Sequence, residues 1–334
     1  MTVTETPFVI SCGDPAGIGP ETICKSWQAR GEAGLPPFFV VGNVGDFEEI
    51  CDIPVARISR PSDALEHFSS ALPILNIYDG LKTTPGEPTL DGAQCALHAL
   101  EMACGLTRSG DAGALITAPV SKAQLYTVGF RYPGQTEFVS ERCGIARENA
   151  VMMLAGPTLR VIPITTHIPF RDVPEMLTTE LIIARAHAAE KAMIRNFGIL
   201  KPRIAVAGLN PHAGESGNLG DEEVRVMQPA IDILRTEGMD ITDPMPADTM
   251  FHEEARSRYD VALCPYHDQA LVPLKTLHFF DGVNITLGLP IVRTSPDHGT
   301  AFGIAGQSIA DPRSMIAAIQ TAAVAVANRQ MFDN

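Results

Sequence analysis

The chain has 334 residues, which is enough for about two domains of ordinary size and a substantial buried core. Its 25 Lys and Arg are outnumbered by 39 Asp and Glu, giving a formal net charge of −14 with neutral His. A surface this acidic repels nucleic acid and anionic membranes, so neither is an expected partner. An anionic substrate fits such a chain only if basic side chains are gathered locally around it.

The cysteines and the chain ends bear on the compartment. Seven cysteines are scattered along the sequence without a C-x-x-C pair, which favours a reducing compartment over a thiolate metal site. The first ten residues lack the basic and apolar segments of a secretory signal. Residues 316–327 form the most apolar segment near the C-terminus and are too few to cross a bilayer. We therefore expect a cytoplasmic protein.

Short apolar runs alternate with longer amphipathic ones along most of the chain. A helix is predicted from Pro20, and another at residues 93–107 with Asp91 and Gln94 as its capping box. Two more are predicted at residues 177–197, ending before Gly198, and at residues 222–237. Strands are predicted at residues 8–11, 38–41, 74–77, 114–117, 151–154, 159–164, 203–207 and 261–264. This alternation predicts an α/β fold with a mainly parallel sheet.

Three histidines occupy equivalent places after predicted strands. In open α/β sheets, ligands bind beyond the carboxyl ends of the strands, and His167, His212 and His267 each follow such an end. Three neutral imidazoles would hold a zinc-type ion and leave one coordination position open for a substrate. The alternative is that each His serves only its own turn, since the spacings of 45 and 55 residues match no short metal-binding motif. Both interpretations remain open from spacing alone.

A second group of side chains is suited to an anion. Lys275, Asn284 and Arg293 lie close together in the sequence among apolar runs, and together they could bind a phosphate or carboxylate. The segment at residues 134–137 opens a predicted helix, whose first N–H groups favour an anion, although Thr136 could instead be a plain N-cap. The alternative for the two cations is an ordinary place on the surface.

The glycine-rich segments do not match a nucleotide-binding motif. Residues 13–21 and 214–220 both fail the G-x-G-x-x-G pattern, and the sequence contains no Walker A loop. A nicotinamide cofactor would therefore bind in a non-Rossmann mode.

Eight segments, taken together, resemble the 4-hydroxythreonine-4-phosphate dehydrogenase family of vitamin B6 biosynthesis. They run from residue 13 to about residue 302, so the resemblance covers nearly the whole chain. The segments are GDPAGIGPE, TAPVSK, PGQTEF, TTHIPF, NPHAGESGNLGDEE, PADTMFH, YHDQALVPLK and GVNITLGLPIVRTSPDHGTAF.

The resemblance implies a two-domain α/β/α sandwich like that of isocitrate and isopropylmalate dehydrogenases, with a site completed by the partner of a homodimer. We place an outer domain at residues 1–130 plus 300–334 and an inner domain, which carries the dimer interface and most of the site residues, at residues 131–299. The resemblance further implies one divalent metal per subunit, Zn, Mg or Co, on His167, His212 and His267. The implied substrate contacts are Gln135, Thr136, Lys275, Asn284 and Arg293.

One of these positions departs from the family pattern. Gln135 stands where the family usually has a His, and an amide cannot become cationic. The amide still offers an N–H donor, so substrate binding is compatible with this change.

The implied activity is oxidation of the C3 hydroxyl of 4-phosphooxy-L-threonine by NAD or NADP, with decarboxylation to 3-amino-1-hydroxyacetone phosphate. No general base is identified; Lys122, Asp268 and Asp248 are candidates, and a structural role is as good an interpretation for each. A sibling dehydrogenase acting on 4-phospho-threonate or erythronate, or on a dihydrodiol dicarboxylate, is the nearest alternative. A phosphate acyltransferase and a non-catalytic anion- or metal-binding module are more distant ones.

Overall fold

The computed structural model describes residues 6–50, 52–80 and 83–333, which form two compact units. Unit 1 comprises the described residues up to Arg147 together with Leu289–Ala327. Unit 2 comprises Glu148–Gly288 and the end of the chain from Asn328. Residues 1–5 and Asn334 belong to the predicted outer domain and lie outside the described residues. Both units alternate strands and helices, which confirms the predicted α/β fold class.

The strands of the described chain are short. In chain order they are β1 Phe8–Ser11, β2 Phe38–Gly42, β3 Val55–Ile58, β4 Leu72–Asn76, β5 Leu115–Thr117, β6 Val151–Gly156, β7 Leu159–Pro163, β8 Arg203–Ala207, β9 Asp240–Met245, β10 Val261–Cys264, β11 Val283–Leu287 and β12 Arg293–Pro296.

The helices vary from one turn to about six. In chain order they are α1 Gly19–Gln28, α2 Val44–Ile50, α3 Ala64–His67, α4 Leu90–Ser109, α5 Lys122–Thr127, α6 Gln135–Arg142, α7 Val173–Met176, α8 Thr179–Phe197, α9 Gln228–Thr236, α10 Glu253–Arg256, α11 His267–Leu277 and α12 Arg313–Asp333. Across the described residues, no helix has the length and apolar character needed to span a membrane.

The strands of unit 1 are all parallel to their neighbours, in the order β3-β4-β2-β1-β5-β12. Every residue of β1 and β2 is buried, as expected for parallel strands that helices cover on both faces. These two mostly apolar strands therefore form the central part of the core of unit 1. The order also places the carboxyl end of β5 beside both β1 and β12.

The strands of unit 2 form a mixed arrangement in the order β11-β6-β7-β10-β8-β9. The strand β6 is antiparallel to both β11 and β7, and the two residues between Gly156 and Leu159 join β6 to β7. From β7 onward the neighbours are parallel. The carboxyl ends of β7, β10 and β8 consequently meet at one edge, where the three histidine-bearing segments begin.

The boundaries between the observed units fall after Arg147, Gly288 and Ala327, whereas the predicted domain boundaries fall after residues 130 and 299. Residues 131–147 belong to unit 1 because α6 packs on α4, where Arg142 pairs with Glu101 at 2.7 Å. Residues 289–299 belong there because β12 pairs with β5. The last turns of α12 belong to unit 2, since Asn328 Nδ2 donates to the Asn196 carbonyl at 3.0 Å.

Several predicted helix boundaries differ in detail from the structure; the helix predicted from residue 177, for example, begins at Thr179. The helix α4 starts one residue before Asp91, and its N-cap is Thr89, whose hydroxyl accepts from the Gly92 N–H at 3.0 Å. Asp91 therefore lies in the first turn, where its charge favours the helix dipole. The predicted helix at residues 222–237 is a π-helical turn, Glu223–Met227, followed by α9.

Candidate functional site

A buried arginine lies where β12 meets the end of β5 in unit 1. Arg293 Nη2 donates to Thr117 Oγ1 at 2.7 Å, and Nη1 donates to Thr136 Oγ1 at 3.3 Å. The residue is only 3% exposed, and this burial lowers the pKa of its guanidinium to about 10 from an ordinary value of 12.5. A cation taken out of water in this way is suited to an anionic ligand, which would stabilise its charged form.

The start of α6 brings two more predicted residues to Arg293. The N-cap of α6 is Gly134, so Thr136 is not the N-cap but a residue of the first turn that accepts from Arg293. Gln135 Nε2 donates to the Ala118 carbonyl, just beyond β5, at 3.1 Å. These contacts gather four side chains, which we call the anion cluster: Thr117, Gln135, Thr136 and Arg293.

Two of the three predicted metal ligands lie side by side in unit 2. The His167 and His267 rings have centroids 5.6 Å apart and are tilted by 44°. They meet because β7 and β10 are parallel neighbours whose carboxyl ends lie at the same level, with Cys264 opposite Pro163. Both rings line a cavity of about 180 Å³ with Thr165, Ile168, Phe170, Val173, Tyr266 and Asp268. We call His167 and His267 the imidazole pair.

An acidic side chain orients one ring of this pair. His267 Nδ1 lies 2.8 Å from Asp268 Oδ1, and a carboxylate at one ring nitrogen leaves Nε2 available as a ligand. This contact gives Asp268 an orienting role among the three candidate bases. The other two are exposed: Lys122 opens α5, and Asp248 lies in the turn after β9.

His212 does not join the imidazole pair within one chain. Among the described residues, no three His, Cys, Asp or Glu side chains are grouped closely enough to hold a metal ion. His212 instead opens a run of left-handed backbone, with φ of +52°, that continues to Ser216. His167 has the same unusual backbone, with φ of +53°. Such strain persists only where surrounding contacts hold it, and it is common at functional sites.

The left-handed segment is held by two residues that sequence reasoning missed. Glu223, which is 4% exposed, accepts from the Asn210 N–H at 2.7 Å and from Asn210 Nδ2 at 2.9 Å. Glycine is required at position 220, where φ is +116° and a Cβ would come within 2.3 Å of the Asn210 amide. The only signal in the sequence is a glycine-rich, acidic segment, which does not reveal which carboxylate turns inward.

The two remaining predicted substrate residues lie in unit 2. Lys275 is on α11, with its Nζ 5.6 Å from the centre of the Phe279 ring. Asn284 is on β11 opposite Leu154, and its buried Oδ1 has no hydrogen-bond partner among the described residues. The predicted substrate contacts are thus divided, with Gln135, Thr136 and Arg293 in unit 1 and Lys275 and Asn284 in unit 2.

The family described as "Pyridoxal phosphate biosynthetic protein PdxA" matches residues 37–322. The chain belongs to this family. A PdxA-like relative from Zymomonas mobilis, named 4-hydroxythreonine-4-phosphate dehydrogenase, is 53% identical over 326 residues, covering 98% of this chain and 97% of that protein. The family resemblance drawn from the eight sequence segments is thereby confirmed.

Solved structures extend the comparison. The 4-hydroxythreonine-4-phosphate dehydrogenase of Klebsiella pneumoniae is 36% identical with a TM-score of 0.85, covering 98% of this chain and 99% of that one. A terephthalate 1,2-cis-dihydrodiol dehydrogenase from Burkholderia xenovorans is 26% identical with a TM-score of 0.65, covering 96% and 98%. The PdxA family fold therefore also occurs in an enzyme named for a different substrate.

Proposed function

We propose that this PdxA-family protein oxidises the C3 hydroxyl of 4-phosphooxy-L-threonine with NAD or NADP, followed by loss of carbon dioxide to give 3-amino-1-hydroxyacetone phosphate. The observation that carries the proposal is the anion cluster, which places a buried arginine in a chain of net charge −14. The relatives named for this activity, at 53% and 36% identity over nearly the full chain, support it.

The anion cluster would bind the charged end of the substrate. The Arg293 guanidinium offers a planar fork of donors, and Thr117 and Thr136 already hold it in place. Burial removes water from the guanidinium, and a phosphate beside it would replace the lost hydrogen bonds to water with charge-assisted ones. Lys275, the other cation among the implied substrate contacts, is a point donor in unit 2. The buried guanidinium offsets the repulsion that the rest of the acidic protein exerts on a phosphorylated substrate.

The imidazole pair provides part of a divalent metal site. Imidazole nitrogens suit zinc better than magnesium, and Asp268 presents the His267 ring in the manner usual for a metal-bound histidine. A bound metal would lower the pKa of the substrate hydroxyl and polarise the ketone, while the nicotinamide would accept the hydride. The residues of this chain contribute by holding the rings in position and by binding the anionic end of the substrate.

We further propose that His212 of a second copy supplies the third ligand, which makes the working enzyme a homodimer. Catalytic zinc sites use three protein ligands, and a single chain brings only two of the predicted imidazoles together. Apolar side chains exposed on and after α11 (Val272, Leu277, Phe279 and Phe280) offer a surface for such an assembly.

Initial rates, followed at the nicotinamide absorbance, test the activity. We expect reduction of NAD or NADP with 4-phosphooxy-L-threonine, loss of the rate after chelation, and its recovery when zinc or cobalt is restored. Full activity in metal-depleted protein would contradict the metal role. Absence of turnover with this substrate in the metal-loaded enzyme would contradict the proposed function itself.

Mixed subunits test the shared site. His212→Ala and His267→Ala should each be inactive, because each removes one ligand from both sites of a dimer. Mixing the two by unfolding and refolding should restore about a quarter of the wild-type rate, since half the dimers are mixed and each keeps one intact site. If the mixture stays inactive although mixed dimers form, the ligands are not shared between subunits.

The second candidate substrate is a cis-dihydrodiol dicarboxylate. The observation that favours it is the fold shared with the Burkholderia dihydrodiol dehydrogenase at a TM-score of 0.65. Arg293 could bind a carboxylate in place of a phosphate. A panel containing terephthalate cis-dihydrodiol and 4-phospho-erythronate, assayed beside 4-phosphooxy-L-threonine, distinguishes these candidates by their kcat/KM values.

A further inference from the structure

Two cysteines of unit 1 bring their thiols together on neighbouring helices. Cys104 lies within α4, and Cys143 is the C-cap of α6. Their thiols share a hydrogen bond in which Cys104 donates to Cys143. A second contact joins the two helices beside this one, since the Arg142 guanidinium holds both carboxylate oxygens of Glu101, at 2.7 and 2.8 Å. Because Glu101 and Cys104 are three residues apart in a helix, both lie on the face of α4 that meets α6.

The two thiols have different surroundings, which suit them to different roles. Cys104 is fully buried, whereas Cys143 is partly exposed. The hydrogen bond from Cys104 and the positive charge of Arg108 lower the pKa of the Cys143 thiol, and the same hydrogen bond together with burial raises the pKa of Cys104. A partly exposed thiolate beside a cation is typical of a reactive cysteine, and a second thiol in contact with it can convert its oxidised form to a disulfide.

We propose that Cys104 and Cys143 form a redox-sensitive modification site, in which a hydroperoxide produces a disulfide that weakens anion binding at the anion cluster. The Cys143 thiolate attacks the O–O bond of hydrogen peroxide, which forms a sulfenic acid and releases hydroxide. The Cys104 sulfur then attacks the sulfenic sulfur, and the S–S bond forms as water leaves. The two sulfurs lose two electrons in total, and these reduce the peroxide to water with the two thiol protons.

The helix α6 connects this thiol pair to the anion cluster. Its first turn carries Thr136, which accepts from Arg293 at 3.3 Å, and its C-cap is Cys143. Cys104 also acts on the cluster electrostatically, because Glu137 and Cys104 are the groups that oppose the lowering of the Arg293 pKa by burial. The thiol pair and the buried guanidinium are therefore neighbours within one unit.

Formation of the disulfide should disturb the contact between Thr136 and Arg293. A disulfide brings two sulfurs closer than a thiol hydrogen bond does, so the C-terminal end of α6 is drawn toward α4. The helix has only eight residues, and we expect it to move as a unit. The hydrogen bond from Arg293 to Thr136 is longer than the one to Thr117, at 3.3 against 2.7 Å, and is the one we expect to break.

Peptide mapping of the oxidised protein tests the modification. Reduced protein is treated with an equimolar amount of hydrogen peroxide, its remaining thiols are blocked, and it is digested with trypsin in the absence of reductant. Cleavage after Arg142 and Arg147 releases Cys143 in a short peptide, which should be recovered linked to the peptide that contains Cys104. Dithiothreitol should separate the two peptides.

Two serine variants locate the disulfide. Cys143→Ser removes the accessible thiol and should give no cross-linked peptide. The matched control is Cys95→Ser, because Cys95 is hydrogen-bonded to Cys12 in a second thiol pair whose members are both buried. This variant should still form the disulfide, and it removes the other cysteine from the tryptic peptide that contains Cys104. Unchanged melting temperatures in the reduced state will show that both variants fold.

Titration with inorganic phosphate, followed by the melting temperature, tests the consequence. Oxidation of the wild type should make the phosphate Kd about tenfold weaker, the usual size for one lost hydrogen bond to a charged group, and dithiothreitol should restore it. Cys143→Ser should bind phosphate with the same Kd before and after peroxide. Loss of affinity in this variant as well would show that oxidation elsewhere is responsible and would contradict the proposal.

The remaining outcomes separate this inference from the proposed function. If the wild type gives no cross-link between Cys104 and Cys143, the modification site is wrong. If the cross-link forms but leaves the phosphate Kd unchanged, or if the reduced protein does not bind phosphate, the effect on the anion cluster is wrong. None of these measurements uses 4-phosphooxy-L-threonine, so each can fail while the dehydrogenase activity stands, and each can succeed without it.

Discussion

The anion cluster of unit 1 and the imidazole pair of unit 2 differ in how their side chains are held in position. Arg293 is buried and fixed by two hydroxyls, and Gln135 is anchored to a backbone carbonyl. His167 is exposed on left-handed backbone, and His267 is partly exposed and held by one carboxylate. The first group is ready for a ligand within one chain, whereas the second brings together only two of the three predicted ligands.

The difference shows how burial and backbone strain position side chains for different partners. A buried guanidinium keeps its place because moving it would break hydrogen bonds that solvent cannot replace. The two imidazoles are more exposed than Arg293, so their position depends on the backbone that carries them and, for His267, on its contact with Asp268. In unit 2 that backbone is strained at His167 and His212, and contacts such as Glu223 with Asn210 hold it. We therefore expect substitutions in the two regions to affect different measured quantities.

Removal of a metal ligand should have the largest effect. His212→Ala should lower kcat/KM at least about a hundredfold while leaving the fold intact, because His212 is exposed and makes up part of the proposed metal site. Circular dichroism and steady-state rates check this. The matched control is His187→Ala, which removes an exposed imidazole paired with Glu237 at 2.6 Å on the surface of unit 2. Equal activity of the two variants would contradict the metal role of His212.

Substitution of the buried arginine should weaken anion binding by about tenfold to a hundredfold. Arg293→Lys keeps the charge but loses the fork that engages both hydroxyls and the ligand. Burial of the charged group lowers its pKa to about 10, so below that pH its burial costs stability that a bound anion restores. The rise in melting temperature caused by inorganic phosphate at pH 7.5 should therefore shrink in the variant.

The control for this prediction is a second buried arginine. Arg329→Lys changes a residue that is also buried with a pKa lowered to about 10, but whose Nε donates to Asn196 at 2.8 Å in unit 2. It should lower stability without changing the response to phosphate. If both variants respond to phosphate alike, Arg293 is not the anion-binding residue.

Loss of the carboxylate beside His267 should have the smallest effect of the three. Asp268→Asn removes the charge that orients the ring through Nδ1, so zinc affinity should fall about tenfold, with little change in melting temperature of the metal-free protein. Competition with a zinc indicator measures this. Asp281→Asn is the control, since Asp281 pairs with His278 Nδ1 at 3.4 Å outside the imidazole pair. Unchanged zinc affinity in Asp268→Asn would leave its proposed orienting role without support.

Many strands of the sheet are predicted correctly from apolar runs in the sequence. The strands β1, β8 and β10 have the predicted bounds because their buried apolar residues are contiguous. Four strands were not predicted: β3, β9, β11 and β12. Of these, β9 contains Pro244 at the edge of its sheet, and β12, Arg293–Pro296, is polar although wholly buried. In β9 and β12, tertiary position rather than local propensity forms the strand.

The α/β class, the family, and the strand ends after which His167, His212 and His267 stand follow from local periodicity and from long matching segments of sequence. Which side chains meet depends instead on the tertiary structure. It joins Arg293 to Thr136 across 157 positions of sequence, pairs the rings of His167 and His267, and leaves His212 on left-handed backbone outside that pair. These contacts depend on the order of the strands in the sheet and on the burial of individual polar side chains. Neither property can be predicted from the hydrophobic periodicity of the sequence.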